Sequence, residues 1–211
     1  GTLSISADSN LGAVPESVTP AAITFNGSGA TLWTTGSFTI NANRGMTLTT
    51  DGTIYVNSGT LTYGGALSGT GGLTKDGAGT LAITAGITLV VPGTLTLTNG
   101  YINTGTIDAR GNIIQESTFA GGTATLDFGN DSVSQTYTIN GGTGLLLRFD
   151  NPADALDTVV FTADASLYGL TITAGFGANT VLITYNGHNL TIGSDYTQAA
   201  GTFTAPATLT I

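Results

Sequence analysis

The groups in this chain with the most chemical potential are carboxylates. Asp150, Asp154, Asp157 and Asp164 form the densest acidic cluster, and Asp127 with Asp131 a smaller one. Oxygen-rich loops bind Ca²⁺, so the neighbourhood of Asp150, Asp154 and Asp157 is the one candidate cation site. Its spacing fits neither the EF-hand loop nor the Gly-Gly-x-Gly-x-Asp nonapeptide. Solvated surface carboxylates are the reading adopted, with no cofactor expected. Glycan cleavage would need a carboxylate pair, or a basic group acting as base, in a cleft. Asp51 with Asp76, or Asp108 with Glu116, would supply such a pair if stacking brought them together. The single histidine, His188, lies in the turn-like Asn186-Gly-His-Asn and reads as an exposed loop residue. The expectation is a protein without catalytic activity.

Two other patterns bear on binding. Thr-x-Thr recurs at Thr47/Thr49, Thr60/Thr62, Thr94/Thr96/Thr98, Thr171/Thr173, Thr202/Thr204 and Thr208/Thr210. Aligned on a flat face, such threonines would bind ice or ordered water. Alternation alone produces the same pattern when Thr is the outward strand residue, and the irregular spacing argues against one aligned file. Trp33, Phe38, Tyr55, Tyr63, Tyr101 and Tyr137 would serve either as an exposed strip for sugars or as interior ladders. Interior ladders are the reading taken.

Composition narrows the class. The chain has 211 residues with 32 Gly and no Cys, and only 8% of it is charged. Threonine is about one residue in five. Mean hydropathy is +0.26, which opposes disorder despite the glycine content. A net charge of −9, with Lys75, Arg44, Arg110 and Arg148 as the only basic side chains, leaves no basic patch for nucleic acid. No apolar run approaches the length of a membrane-spanning helix. The absence of Cys suits a secreted or surface protein that folds without disulfides. Any secretion signal is expected to have been removed or to lie outside this segment.

The elements that would position these residues are short strands cornered by glycine. Gly52-Thr-Ile-Tyr-Val, Gly59-Thr-Leu-Thr-Tyr, Gly79-Thr-Leu-Ala-Ile, Gly93-Thr-Leu-Thr-Leu and Gly105-Thr-Ile-Asp share one grammar. Glycine turns the corner where φ is positive, Thr starts the strand, and Leu61, Leu81, Leu95 or Ile107 points inward. The run from Gly64 to Gly86 is the densest example. Strands this short cannot hold a core alone, so they must stack as a solenoid. The chain is all-β: a single β-solenoid over 1–211, with regular repeats over 1–107 and a less regular continuation over 108–211. The spacing predicts about 20 residues per coil with three strands each, roughly ten coils and a rod of about 50 Å. Pro15 and Pro20 mark a loop that breaks pairing. Asn151–Asp157 reads as a loop or short helical turn. A β-sandwich for 108–211 is the alternative.

At Gly71–Gly86 the residues carry a family likeness. GGLTKDGAGTLAITAG resembles the autotransporter-associated β-strand repeat, with Gly72, Leu73, Lys75, Gly77, Gly79, Thr80 and Leu81 carrying the match. Leu11–Pro15, Asn41–Gly45 and Asn189–Ile211 look like segments of the same large bacterial surface proteins. The resemblance covers about half of the chain. It implies a right-handed parallel β-helix outside a bacterial cell. After Gly86 the chain departs from the usual loop and runs on as GITLVVPGTLTLTNG. A passenger-like architecture is implied, and autotransport is not.

The functional expectation follows from the ends. Gly1–Ser6, with Leu3 and Ile5 on one face, and Thr208–Ile211, with Leu209 and Ile211, read as strands without caps. Either further coils flank them or copies stack end to end. The chain is therefore expected to be a structural segment of a surface fibre or matrix, assembled by self-association through the corner glycines, inward aliphatics and terminal strands. An adhesin segment that binds glycans is the alternative. Both place it outside the cell or on a bacterial surface.

Overall fold

The computed structural model describes residues 1–129, 134–149, 158–172, 182–199 and 206–211. It is a parallel β-solenoid of about 8 turns, with about 22 residues per coil. The first sheet stacks Thr2–Ile5, Ala30–Thr35, Gly52–Ser58, Leu73–Asp76, Leu95–Leu97, Ile113–Gln115, Thr136–Ile139, Thr158–Phe161 and Leu182–Thr184 in chain order. A second sheet holds Phe38–Ile40, Thr60–Tyr63, Thr80–Ile83, Gly100–Asn103 and Phe119–Gly121. The third face begins with Thr19–Phe25, Arg44–Leu48 and Leu67–Gly69. It continues with Thr88–Val91, Thr106–Ala109, Thr125–Phe128, Thr143–Phe149, Ala165–Ile172, Leu190–Ile192 and Leu209–Thr210, while Tyr196–Gln198 pairs alongside Ala165–Ile172.

Every described pairing, from Thr2–Ile5 with Ala30–Thr35 to Leu190–Ile192 with Leu209–Thr210, is parallel. A β-sandwich over 108–211 needs antiparallel partners and is excluded. The first sheet runs unbroken past residue 108 through Thr136–Ile139 to Leu182–Thr184. The rod is shorter than expected: about 8 turns at about 4.8 Å per strand give about 38 Å. Residues spent at three corners account for the difference, as does a long first coil in which Thr2 pairs with Thr31.

Strand alternation builds the core. Along the first sheet one inward file reads Leu3, Leu32, Ile54, Lys75, Leu97, Gln115, Ile139 and Phe161. Leu61, Leu81, Leu95 and Ile107 are all buried, as is Ile5. Leu3 and Ile211 are 49% and 71% exposed, and Leu209 packs partly against the core.

The corner glycines divide by cause. Gly59 and Gly105 have φ of +72° and +61°, the left-handed conformation anticipated for a corner. Gly52, Gly79 and Gly93 are glycine for lack of room instead. A Cβ on Gly52 would lie 2.5 Å from the Phe25 ring, on Gly79 2.7 Å from Val56, and on Gly93 2.7 Å from the backbone of Gly71.

Two further departures concern the first coil. Pro20 lies inside the strand Thr19–Phe25, at a register break between Thr19 and Ile23. That position is on an edge, where a missing N–H costs no ladder bond. A 3-10 turn at Asp8–Leu11 stands against Phe38–Ile40, so the second sheet has a local cover where a bare edge was expected. Asn151–Asp157 and the strand anticipated at Thr202–Thr204 lie outside the described residues.

Leu95 is fully buried, and its neighbour Thr96 faces outward on the same strand. Leu95→Ala is expected to cost about 3 kcal/mol and Thr96→Ala under about 1 kcal/mol. Urea unfolding followed by far-UV circular dichroism checks this; equal losses would contradict the inward–outward assignment.

Candidate functional site

The carboxylates singled out in the sequence serve turns and ion pairs. Asp51 Oδ1 accepts from the Gly72 N–H at 2.7 Å, and Asp76 Oδ1 from the Gly77 N–H at 2.7 Å. They do not meet: Asp76 pairs with Tyr55, four positions along the strand direction from Asp51. Asp108 stands on the third face, while Glu116 follows the first-sheet strand Ile113–Gln115. Asp108 accepts from the Arg110 guanidinium at 3.0 Å, and Asp127 holds Arg148 through two contacts. Among the described residues, no three His, Asp or Glu side chains converge on a metal-sized space. Asp131, Asp150, Asp154 and Asp157 lie outside the described residues.

Asp164 and His188 are neighbours, with Nδ1 3.5 Å from Oδ1. The Asn189 main-chain N–H and side-chain amide both donate to Asp164, at 2.9 and 2.8 Å. These bonds hold its carboxyl below the usual range, with smaller help from His188. Asp164 ties the turn at Asn186–Asn189 to the adjoining coil.

The unusual chemistry is inside the corners. Main-chain groups on the flat faces pair with the next coil, but a carbonyl at a corner can turn away from that ladder and need another donor. Buried polar side chains meet them. Lys75 is fully buried, and its ammonium donates to the carbonyls of Asp76 at 3.0 Å, Gly77 at 2.9 Å and Asn99 at 2.9 Å. Three donors meet three acceptors. The acceptors belong to two turns stacked one coil apart, Asp76-Gly77 and Asn99-Gly100.

Two coils further along the same inward file, Gln115 repeats the device. Its Nε2 donates to the Gly141 carbonyl at 2.6 Å, and its Oε1 accepts from the Tyr137 hydroxyl. Other corners use other residues. Gln135 Nε2 donates to Ala109 and Gly111 at 2.8 and 2.7 Å. The Tyr63 hydroxyl lies 3.1 Å from the Arg44 carbonyl and 2.8 Å from that of Ala66. Arg44 bonds the carbonyls of Leu11 and Gly12 at 3.3 and 2.6 Å and pairs with Asp8 at 3.0 Å, which fixes the 3-10 turn over the second sheet. Burial raises the Tyr63 and Tyr137 phenols well above their ordinary range. Of these pins, Lys75 was singled out in the sequence through the repeat likeness and Tyr63 as an interior aromatic, whereas Gln115 and Gln135 were not. Lys75 shares the inward phase of Leu73 on the same strand.

The outer faces carry the remaining candidates. Of the six aromatics expected to form interior ladders, Tyr63 and Tyr137 are interior and Phe38 packs partly against the core. Trp33, Tyr55 and Tyr101 turn outward instead, because strand phase sets them opposite the inward residues. Trp33 and Tyr55 are outward neighbours on the first sheet, stacked with ring centroids 3.9 Å apart, and Tyr101 is 44% exposed on the second. The threonines are more ordered than their sequence spacing implies. One outward file of the first sheet runs Thr2, Thr31, Thr53, Thr74, Thr96, Ile114, Thr138, Val160 and Thr184 through eight successive pairings.

These features define a parallel β-solenoid pinned at its corners by buried polar side chains. No family model matches the chain, and neither a curated protein nor a solved structure does.

Burial lowers the Lys75 amine to about 8, against an opposing pull from Asp76. Between that value and the ordinary lysine range the folded chain is neutral there while the unfolded chain still carries the proton. Unfolding therefore takes up a proton, and stability rises with pH across that window. Urea melts at about pH 7.5 and 9.5 should show the rise. Lys75→Met should abolish it and cost about 3 kcal/mol by stranding buried carbonyls. A slope that survives the substitution would refute the assignment.

Proposed function

We propose that this chain is a non-catalytic structural segment of a bacterial surface or extracellular fibre, extended by addition of strands at the ends of its stack. One observation carries the reading. Among the described residues, Thr2–Ile5 and Leu182–Thr184 each have a sheet neighbour on one side only, and Leu3 and Leu182 on them are 49% and 50% exposed. Leu3, Ile23, Phe25 and Leu32 line a cavity of about 310 Å³ at one end, and Leu182, Ile183, Tyr185 and Pro206 one of about 430 Å³ at the other. A parallel edge with an open apolar interior is complementary to another coil of the same kind. The likeness of residues 71–86 to the autotransporter-associated repeat supports the extracellular setting.

A second reading, an adhesin segment that binds glycans, is favoured by the outward Trp33–Tyr55 pair and by exposed Tyr101. Electron microscopy of the purified chain separates the two. The fibre reading expects unbranched filaments one coil wide, with an axial repeat of about 4.8 Å by fibre diffraction. Monodisperse rods of about 38 Å that bind a glycan array, with binding lost in Trp33→Ala, would replace it with the second.

A further inference from the structure

We propose that the outer face of the first sheet binds ice through its threonine file. This is a binding activity separate from fibre formation. All nine positions of the file hold β-branched residues, and seven of them are threonine. The chain reaches them at uneven intervals, from 29 residues between Thr2 and Thr31 to 18 between Thr96 and Ile114. The corners absorb these differences, and the register of the file never slips.

Strand preference for β-branched residues does not account for the file, because neighbouring outward files lose it. On the third face Thr88, Thr106 and Thr125 are followed by Leu146 and Gly169. On the second sheet Thr60 and Thr80 lead to Tyr101. In the first-sheet file only Thr31 spends its hydroxyl on a protein acceptor, the Gly29 carbonyl at 3.2 Å. The other hydroxyls face water.

A solid surface can recognise such a row. The file repeats at the strand spacing of about 4.8 Å, close to the oxygen repeat along one axis of the ice lattice. Threonine is stiff at χ1, so its methyl and hydroxyl hold a fixed relation from coil to coil. The hydroxyls take lattice water positions while the methyls order the water between them. Val160 keeps the shape of a threonine. On one flank stand Trp33, Tyr55 and Asp76. The binding strip is bounded on that side, which suits adsorption that arrests crystal growth more than strong depression of the freezing point.

The test is ice recrystallisation in a sucrose film with the 211-residue chain, beside a Thr74→Lys/Thr96→Lys variant and a control, Thr62→Lys, on the second sheet. All three substitutions are outward and should leave the circular dichroism spectrum unchanged. The wild type and the control should arrest grain growth, and the double variant should need about tenfold more protein. Absence of arrest by the wild type at high concentration overturns the proposal. Equal loss in the control and the double variant also overturns it. Filaments seen by electron microscopy bear on the fibre reading alone.

Discussion

Corner carbonyls are the constraint on which the rest of this solenoid depends. A coil that pairs with the coils above and below satisfies its main chain along the flat faces without help from any side chain. At a corner the chain bends away from its neighbours and aims carbonyl groups into an interior that excludes water. Leaving one unpaired there costs about 1–3 kcal/mol. Lys75, Gln115 and Gln135 supply donors to the carbonyls of Gly77, Gly141 and Gly111, and Tyr63 and Arg44 add donors at other corners. A side chain normally kept in water is thus the interior of choice where three acceptors converge.

Volume is balanced by the same logic of stacking. Because registers align position over position, a large residue in one coil must find space in the next. Phe25 lies over Gly52, and Tyr137 with Gln115 occupies the room beside Gly144. Phe128 stacks on Phe149 at 4.6 Å, one coil apart on the third face, below the small Ala109. Glycine in this chain is therefore as often a spacer as a hinge. The outer faces obey only the register, which is why they can hold an uninterrupted row such as the threonine file or a local pair such as Trp33 and Tyr55.

The architecture was legible because it is written in short-range signals. Strand alternation at Leu61–Tyr63 and Leu81–Ile83, with glycine between, requires stacking, and the inward assignment of Leu95 and Ile107 needs only period two. Coil number was misjudged because corners consume residues without a periodic signature. The local cover over the second sheet was not seen because Asp8 and Arg44 are far apart in the chain. The Asp51/Asp76 and Asp108/Glu116 pairs dissolved once register and face were known, since strand phase places their members at different positions along one face or on different faces.

From its residues alone the chain determines that it is all-β, that it must stack, and which aliphatic side chains turn inward, because these follow from periodicity within a few residues. Tertiary structure alone decided which coil lies over which. That choice sets three carbonyls around the Lys75 ammonium, lays Phe25 across Gly52 and draws scattered threonines into one row. The physical reason is that each of these relations links positions about one coil apart, and the length of a coil is set by how its corners close, a property no local window contains.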